Sequence, residues 1–584
     1  MRGPARQRTG TALGMFYLSQ RGALREGAVY GGTVAGGDFR QALHRHGTLE
    51  RWALFTEPAN VRAVQADLGD LRRAEASRIG TIQAAGYDAL LERFDDFALT
   101  QWHDIDSDVI RLDVRRAFHL RQSRARALYP ISITHHTFSY PYMLHEWFLP
   151  LLLADTQPCD SIVCTSQAAR EAIRQLLRHV SEEFERAHGV RLEYRGRLDH
   201  LPLGVDTDLF KPRDKADLRR QYGLPQDAFL LLWMGRVSSR DKGDLLPVLS
   251  VLQELVREHA GARLLLAIAG TGPSRDASAL WDHARALGVQ EHVRLLGKID
   301  PAHRHLLHAA ADVFLSPVDN IQETFGLTPI EAMACGVPQV VTDWDGYRDT
   351  VSHGETGFLI PTCWAPCDED LSSVAPITGL LDHLTLAQAV AMDLGALRTA
   401  LSTLIQRPEL RERMARSSRR RALEQFSWKR VIAGYETLWS ELGRVARGLP
   451  PPVRRTEYTH PPYCSAFAGY PSRMLEGDEV LRLTARGSSV LRGEEPLPVY
   501  HREAAPEPEA VQLALERLRA AGRRRGVRFS ELVELLAQAR PGPRSRARRQ
   551  VLWLLKYGFA EVEAPRSHTG RSRTPPAARG RRPS

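Results

Sequence analysis

The sequence predicts an α/β protein: two Rossmann-like, doubly wound domains facing each other across a cleft, then a small C-terminal helical module with a winged-helix-like pattern. Three observations lead there. At 584 residues the chain exceeds what one hydrophobic core can serve, so two large domains and something smaller are expected. Short apolar runs alternate with helical patterns through the first two hundred residues and again from Phe229, as repeated βα units require. Beyond Gly443 that alternation stops, and proline, arginine and glycine take over.

In the first domain, residues 1–203, the strand candidates are Gly14–Leu18, Trp52–Thr56, Phe97–Gln101, Ile131–Thr134 and Ile162–Cys164. Ser166 then caps a helix expected to run to about Leu177. The stretch LPLGVDTDLF, ending at Phe210, reads as the crossing into a second domain, residues 204–426. There the strands are Phe229–Met234, Arg263–Ala269, Val293–Leu296, Val313–Leu315 and Gln339–Thr342, with helices at Leu245–Glu258 and Ser274–Leu287. Residues 363–390, with two cysteines and several acids, look like an insertion. A helix over 427–445 follows, then a proline-rich linker with at most one hairpin over 446–508. Apolar spacing at Val511–Leu518, Leu532–Leu536 and Val551–Leu555 marks three helices, and a short strand at Phe559–Glu563 completes a module over 509–564. The Arg/Pro/Ser/Gly mixture of 565–584 reads as a disordered tail.

Composition narrows the classes. Apolar residues are 43% and charged residues 25%, which excludes a disordered or membrane-embedded chain as a whole. No apolar run reaches the roughly 18–20 residues that span a bilayer, and the start of the chain does not read as a signal peptide. Six cysteines without a C-x-x-C pair give neither a disulfide framework nor a zinc pattern, so a reducing cytoplasm is the expectation. The net charge of +10 is local: the last 45 residues hold eleven Arg and one Lys against two Glu. An anionic partner, either a membrane surface or nucleic acid, is therefore expected only of the C-terminal module and tail.

The chemistry concentrates in ETFGLTPIEAMACGVP, Glu323–Pro338. Glu323 and Glu331 are separated by seven residues, the first on a glycine-bearing loop and the second at the start of a short helix. Thr328 is placed to cap that helix, Pro329 to open it, Glu331 to complete a capping box, and Gly336 and Pro338 to stop it. Free N–H groups around Gly326 would suit an anionic ligand, and the carboxylates would accept hydrogen bonds from sugar hydroxyls. A capping box and an exposed charge would account for an isolated T-x-x-E, but not for the whole string.

That string resembles the retaining glycosyltransferases of family 4, which carry paired glutamates before an EAMA-x-G-x-P helix. The resemblance covers about residues 11–445 and implies the GT-B fold, whose closing helix packs back on the first domain. It implies that Gly235, Arg236 and Lys242, following the strand FLLLWM, hold the diphosphate of a nucleoside diphosphate sugar. The two cations would replace a divalent metal, so no metal or other cofactor is expected. Glu331 corresponds to the family's ribose acceptor, and Glu323 to the residue beside the donor sugar. By the same resemblance the amides of Phe325, Gly326 and Leu327 would face sugar and phosphate, and Gly270 and Gly272 would line the nucleotide. Gly31 and Gly32, with Gly36 and Gly37, form a glycine-rich loop before a helix beginning near Asp38. The resemblance also implies that a histidine at the end of the strand in ITHHTFSY contacts the donor sugar. His135 and His136 both qualify, alternation points only one inward, and His136 is favoured. Where many relatives have GG…E-x-V, this chain departs with Asp345-Gly346…Asp349-Thr350-Val351. The implied activity is retaining sugar transfer to a glycan, lipid or small-molecule acceptor. The rival is a regulatory nucleic-acid-binding protein with a transferase-like sensor body, for which Arg544, Arg546, Arg548 and Arg549 would open the recognition helix.

Overall fold

The computed structural model describes residues 10–17, 31–453, 462–499, 506–539 and 542–563, except positions 75, 106, 241, 301, 302, 370, 372–380 and 476. The basic tail, the middle of the 363–390 insertion and residues 454–461 and 500–505 of the proline-rich linker lie outside the described residues. The chain forms two compact units, residues 1–457 and 458–584.

The first unit holds two lobes, each on one parallel sheet. Strands β1 (Ala12–Phe16), β2 (Arg51–Thr56), β3 (Thr81–Gly86), β4 (Gln101–Asp104), β5 (Ile131–His135), β6 (Ser161–Cys164) and β7 (Arg197–His200) are ordered 3-2-1-4-5-6-7. In the second lobe β8 (Phe229–Met234), β9 (Leu264–Ala269), β10 (Val293–Gly297), β11 (Val313–Ser316), β12 (Gln339–Thr342) and β13 (Gly357–Ile360) are ordered 10-9-8-11-12-13. Each order reverses beside the lobe's first strand, which opens a crevice between β1 and β4 and another between β8 and β11. Continuous apolar runs such as β9 (LLLAIA) follow from burial on both faces.

Three strands of these two parallel sheets escape the sequence reading, and all are edges. β3 (TIQAAG), β7 (RLDH) and β13 (GFLI) end their sheets, are only partly buried and carry no strong apolar run. The strand expected at Phe97–Gln101 is also displaced. Phe94–Phe97 is a 3₁₀ turn, and the strand is the later, polar QWHD. Its Asp104 carboxylate is internally paired, accepting from the Phe16 amide (3.0 Å) and the Trp102 indole (2.7 Å).

The helix after β1, α1 (Gly31–His46), starts seven residues before the expected Asp38, so Gly31, Gly32, Gly36 and Gly37 are helical rather than looped. Helix α2 (Gln167–His188) keeps its Ser166 cap, whose hydroxyl accepts from the Ala169 amide, but extends well past Leu177 on an amphipathic pattern. Short helices α3 (Arg304–Ala310) and α4 (Leu327–Ala334) follow in the second lobe. The last helix of the unit, α5 (Trp428–Arg447), returns to the first lobe. Its Tyr435 hydroxyl bonds Thr134 Oγ1 (2.8 Å), its Trp439 indole donates to Ser132 Oγ (3.1 Å), and Phe39 of α1 packs on Tyr435. The crossover strands pass so closely that a Cβ on Gly204 would lie 2.4 Å from the Trp428 ring.

The C-terminal unit reaches further into the linker than its apolar pattern suggests. Strand β14 (Val480–Leu483) pairs antiparallel with both β15 (Val527–Arg528) and β16 (Ala560–Val562), as the central strand of three. Helix α6 (Ala485–Leu491) comes next, then α7 (Pro508–Arg525), α8 (Phe529–Ala539) and α9 (Arg544–Lys556). Their core contains Leu515, Leu518, Leu532, Leu536, Val551 and Leu554, closed on the sheet side by Leu481. The central strand was not legible as one because it comes from outside the helical run it stabilises.

Candidate active site

The candidate site lies on the loops leaving β8, β9, β11 and β12. A residue of the β8 loop and one of the β11 loop meet across the crevice between those strands: Lys242 Nζ stands 3.4 Å from Glu323 Oε2. Glu323 Oε1 accepts long hydrogen bonds from the amides of Thr324 (3.3 Å) and Phe325 (3.4 Å). Burial alone would raise this carboxyl. The ammonium of Lys242 and the two amides outweigh it and hold Glu323 below the usual carboxylate range. Arg236 follows Gly235 on the same loop and is half-buried.

Gly270 and Gly272 are required by packing. The β9 loop runs against the β8 loop backbone to backbone, with the Gly235 amide donating to Ala269 O (3.0 Å) and the Val237 amide to Thr271 O (3.1 Å). A Cβ on Gly270, whose φ is +146°, would lie 1.7 Å from Gly235 O, and one on Gly272 would lie 1.7 Å from Val237 O.

The glutamate helix differs from its sequence reading. α4 begins at Leu327, with Gly326 at the cap position (φ +96°) and no side-chain cap, so Thr328 and Pro329 lie inside the helix and no capping box forms. Only glycine fits at 326, because a Cβ would lie 2.3 Å from the Tyr347 ring. The stop is as expected. Gly336 (φ +70°) donates to Met333 O and Val337 to Ala332 O, a Schellman closure. Glu331 therefore sits in the second turn. It is buried, with Oε1 3.1 Å from Arg304 Nη2 and Oε2 3.1 Å from His308 Nε2. Burial would raise its pKa, but the Arg304 charge and the His308 contact keep it low. Across from it, burial and the charges of Glu331 and Asp206 push Asp38 of α1 up to about 7, against the pull of Arg304. Arg304 and His308 went unnoticed in the sequence, although their R-x-x-x-H spacing puts both on one helical face.

The two lobes meet at this loop. Thr324 Oγ1 donates to His136 O (3.2 Å), and Thr165 Oγ1 donates to Thr324 O (3.2 Å). The backbone of His136 thus touches the residue after Glu323. The ring of His135 instead stacks on Trp147 inside the first lobe, 4.2 Å between centroids, and burial drives its pKa far down. Ser166 Oγ donates to Asp345 Oδ1 (3.3 Å), and the Gln167 amide donates to Asp349 Oδ2 (2.6 Å). Sequence reasoning also missed the loop before Glu323. Its Asp319 Oδ1, Asn320 Nδ2 and Gln322 Oε1 are buried without a hydrogen-bond partner, as is Oδ2 of Asp345 on the loop after β12. Unmet capacity of this kind costs about 1–3 kcal/mol per group unless a ligand or water supplies the partner. Burial, then the charge of Asp244, raises Asp319 to about 7.

Two parallel-sheet lobes, a site on the strand ends of the second and a closing helix returning to the first make up the GT-B architecture. Residues 214–370 match the family model described as glycosyl transferases group 1. A curated relative, D-inositol 3-phosphate glycosyltransferase 2 of Catenulispora acidiphila, is 34% identical over 214 residues, covering 35% of this chain and 48% of that protein. The D-inositol 3-phosphate glycosyltransferase of Saccharomonospora viridis is 30% identical over 301 residues, covering 50% and 61% respectively. The chain spans about half the length of the curated relatives it matches. Among solved structures, Anabaena HepE in complex with UDP is 16% identical with a TM-score of 0.46, covering 75% of this chain and 99% of that one. Sucrose-phosphate synthase from Thermosynechococcus elongatus is 19% identical with a TM-score of 0.47, covering 74% and 99%.

Proposed function

We propose that the protein transfers a sugar from a nucleoside diphosphate sugar to a hydroxyl-bearing acceptor, with retention at the anomeric carbon and without a divalent metal. The Lys242–Glu323 pair across the β8/β11 crevice carries this reading. A cation and a carboxylate side by side suit a diphosphate next to a sugar hydroxyl. Lys242 and Arg236 neutralise the diphosphate as it leaves, the task a metal ion performs elsewhere. Glu323 and, from the other lobe, His136 hold the sugar, while the amides of Gly326 and Leu327 at the uncapped start of α4 face its phosphate. Glu331 accepts the ribose hydroxyls. A carboxylate has about four lone-pair sites, so Arg304 and His308 leave it capacity to do so. The relatives' names support transferase chemistry; the acceptor they name belongs to those proteins.

The test is nucleoside diphosphate release from UDP-, GDP-, ADP- and TDP-sugars in EDTA, with Glu323→Ala, Lys242→Ala and Arg236→Ala alongside. Release from one donor, lost in all three variants, is the expected result. The absence of both release and calorimetric donor binding would reject the reading.

One observation favours an added role for the C-terminal unit. Arg546, Arg548 and Arg549 at the start of α9 are exposed and, among the described residues, have no acidic partner. Arg482, Arg486, Arg492, Arg528 and Arg544 are each paired. We propose that this helix, the second of a helix–turn–helix pair, binds duplex nucleic acid through phosphate contacts. Mobility shift of a 30-base-pair duplex should weaken in the triple Ala variant. Binding to anionic vesicles without a duplex shift would favour the membrane instead.

A further inference from the structure

We infer that Asp345 is a specificity-determining residue of the site proposed above, hydrogen-bonding a hydroxyl of the donor sugar. The inference rests on that reading and extends it to a residue outside the glutamate motif.

Asp345 is held in a conformation that suits glycine. Its φ is +45°, and only one other non-glycine residue among those described, Ala98, has a positive φ. A side chain kept in the left-handed region at a cost in stability points to a use for that side chain. Its position is fixed from two directions, and one of its oxygens is left over. Ser166, the cap of α2 in the first lobe, donates to Oδ1 at 3.3 Å. The next residue, Gly346, lies so close to the Glu323 loop that a Cβ there would be 2.5 Å from Phe325 Cα and 2.8 Å from Thr324 O. Oδ2 is buried and has no partner.

The carboxyl therefore sits at the seam of the two lobes, beside the loop of Glu323, with one oxygen satisfied by protein and the other left over. Burial, followed by the charge of Glu323, pushes this group well above the usual carboxylate range, with Asp349 adding to the same effect. A neutral carboxyl has both a donor and an acceptor to offer a sugar hydroxyl, whereas the ionised Glu323 can only accept. The two together distinguish a hydroxyl's position better than either alone, since a polar group left unpaired in a buried site penalises the wrong epimer.

The experiment compares wild type with Asp345→Asn, Asp345→Gly and Ser166→Ala. The substrates are the donor wild type hydrolyses and its epimers, beginning with UDP-glucose against UDP-galactose, and GDP-mannose against GDP-glucose. The readouts are kcat/KM for hydrolysis without acceptor, affinity for the free nucleoside diphosphate, and melting temperature. We expect Asp345→Gly to melt at or above wild type, because glycine relieves the left-handed backbone. We expect epimer discrimination to fall at least tenfold in both Asp345 variants with nucleotide affinity unchanged, and to fall less in Ser166→Ala, where the close approach of Gly346 still holds the loop. Unchanged discrimination in an active Asp345→Asn enzyme would overturn the inference. So would equal loss in Ser166→Ala, which would make Asp345 a latch between lobes, or a defect seen only when acceptor is added. If wild type hydrolyses no sugar nucleotide, the proposed function itself fails first, and the two failures remain distinct.

Discussion

Replacing Lys242 by Met tests the pair on which the site is built. At 3.4 Å and an effective dielectric of about 20, the attraction between Lys242 and Glu323 is about 5 kcal/mol. Desolvation of both groups offsets part of it, and Lys242 keeps 29% of its side chain in solvent. The net loss on removing the lysine is therefore about 1–3 kcal/mol. Its pH dependence identifies the cause. In wild type the folded-state pKa of Glu323 is depressed, so its stabilising contribution is present above the unfolded value near ~4.3 and is lost as pH falls through the folded value. Without the lysine, burial dominates, and the carboxylate costs stability at pH 7 until it is protonated. Urea denaturation should show the gap between Lys242→Met and wild type at pH 7 shrinking as pH falls below about 4. A double-mutant cycle with Glu323→Gln should give a coupling above ~0.5 kcal/mol. Donor hydrolysis should drop by about 10²–10³-fold. A gap equal at both pH values, or additive single variants, would refute the reasoning.

Gly270→Ala forces a Cβ to 1.7 Å from Gly235 O and should cost about 3 kcal/mol and weaken nucleotide binding, whereas Gly261→Ala, with open space around it, should be neutral in the same denaturation assay. Arg121 and Asp160 are each 1% exposed and ion-paired, so Arg121→Met should lose about 3–5 kcal/mol by leaving a buried carboxylate without its cation. Burial lowers His103 to about 3, so the fold is favoured fully above the unfolded pKa of ~6.5 and loses stability as pH falls toward 3. His103→Asn should flatten that acid limb, which thermal melts across pH 3–7 will show. Tyr435→Phe removes the 2.8 Å bond to Thr134 and should cost about 1 kcal/mol in melts of the first unit, without changing nucleotide affinity.

Much of this architecture is local information and was legible in the sequence. Continuous apolar runs placed β8 and β12 to the residue, the cap at Ser166 placed the start of α2, and Gly336 placed the end of α4. The order of motifs along the chain also groups Lys242 with Glu323, which the fold brings to 3.4 Å. What the sequence could not give depends on neighbours distant in the chain. The edge strands β3, β7 and β13 exist because a sheet extends to them, and β14 becomes a central strand only when two strands from further along flank it. In the sequence Glu331 reads as part of a cap as well as a hydroxyl acceptor, because T-x-x-E is a local pattern. Its partners, Arg304 and His308, come from another helix and are set by how α3 packs on α4. Asp345 read as a departure at a glycine position. Its unpartnered oxygen and its bond to Ser166 appear only when the two lobes close on each other. Periodicity and turn chemistry are written residue by residue, whereas burial and charge pairing belong to the assembled fold.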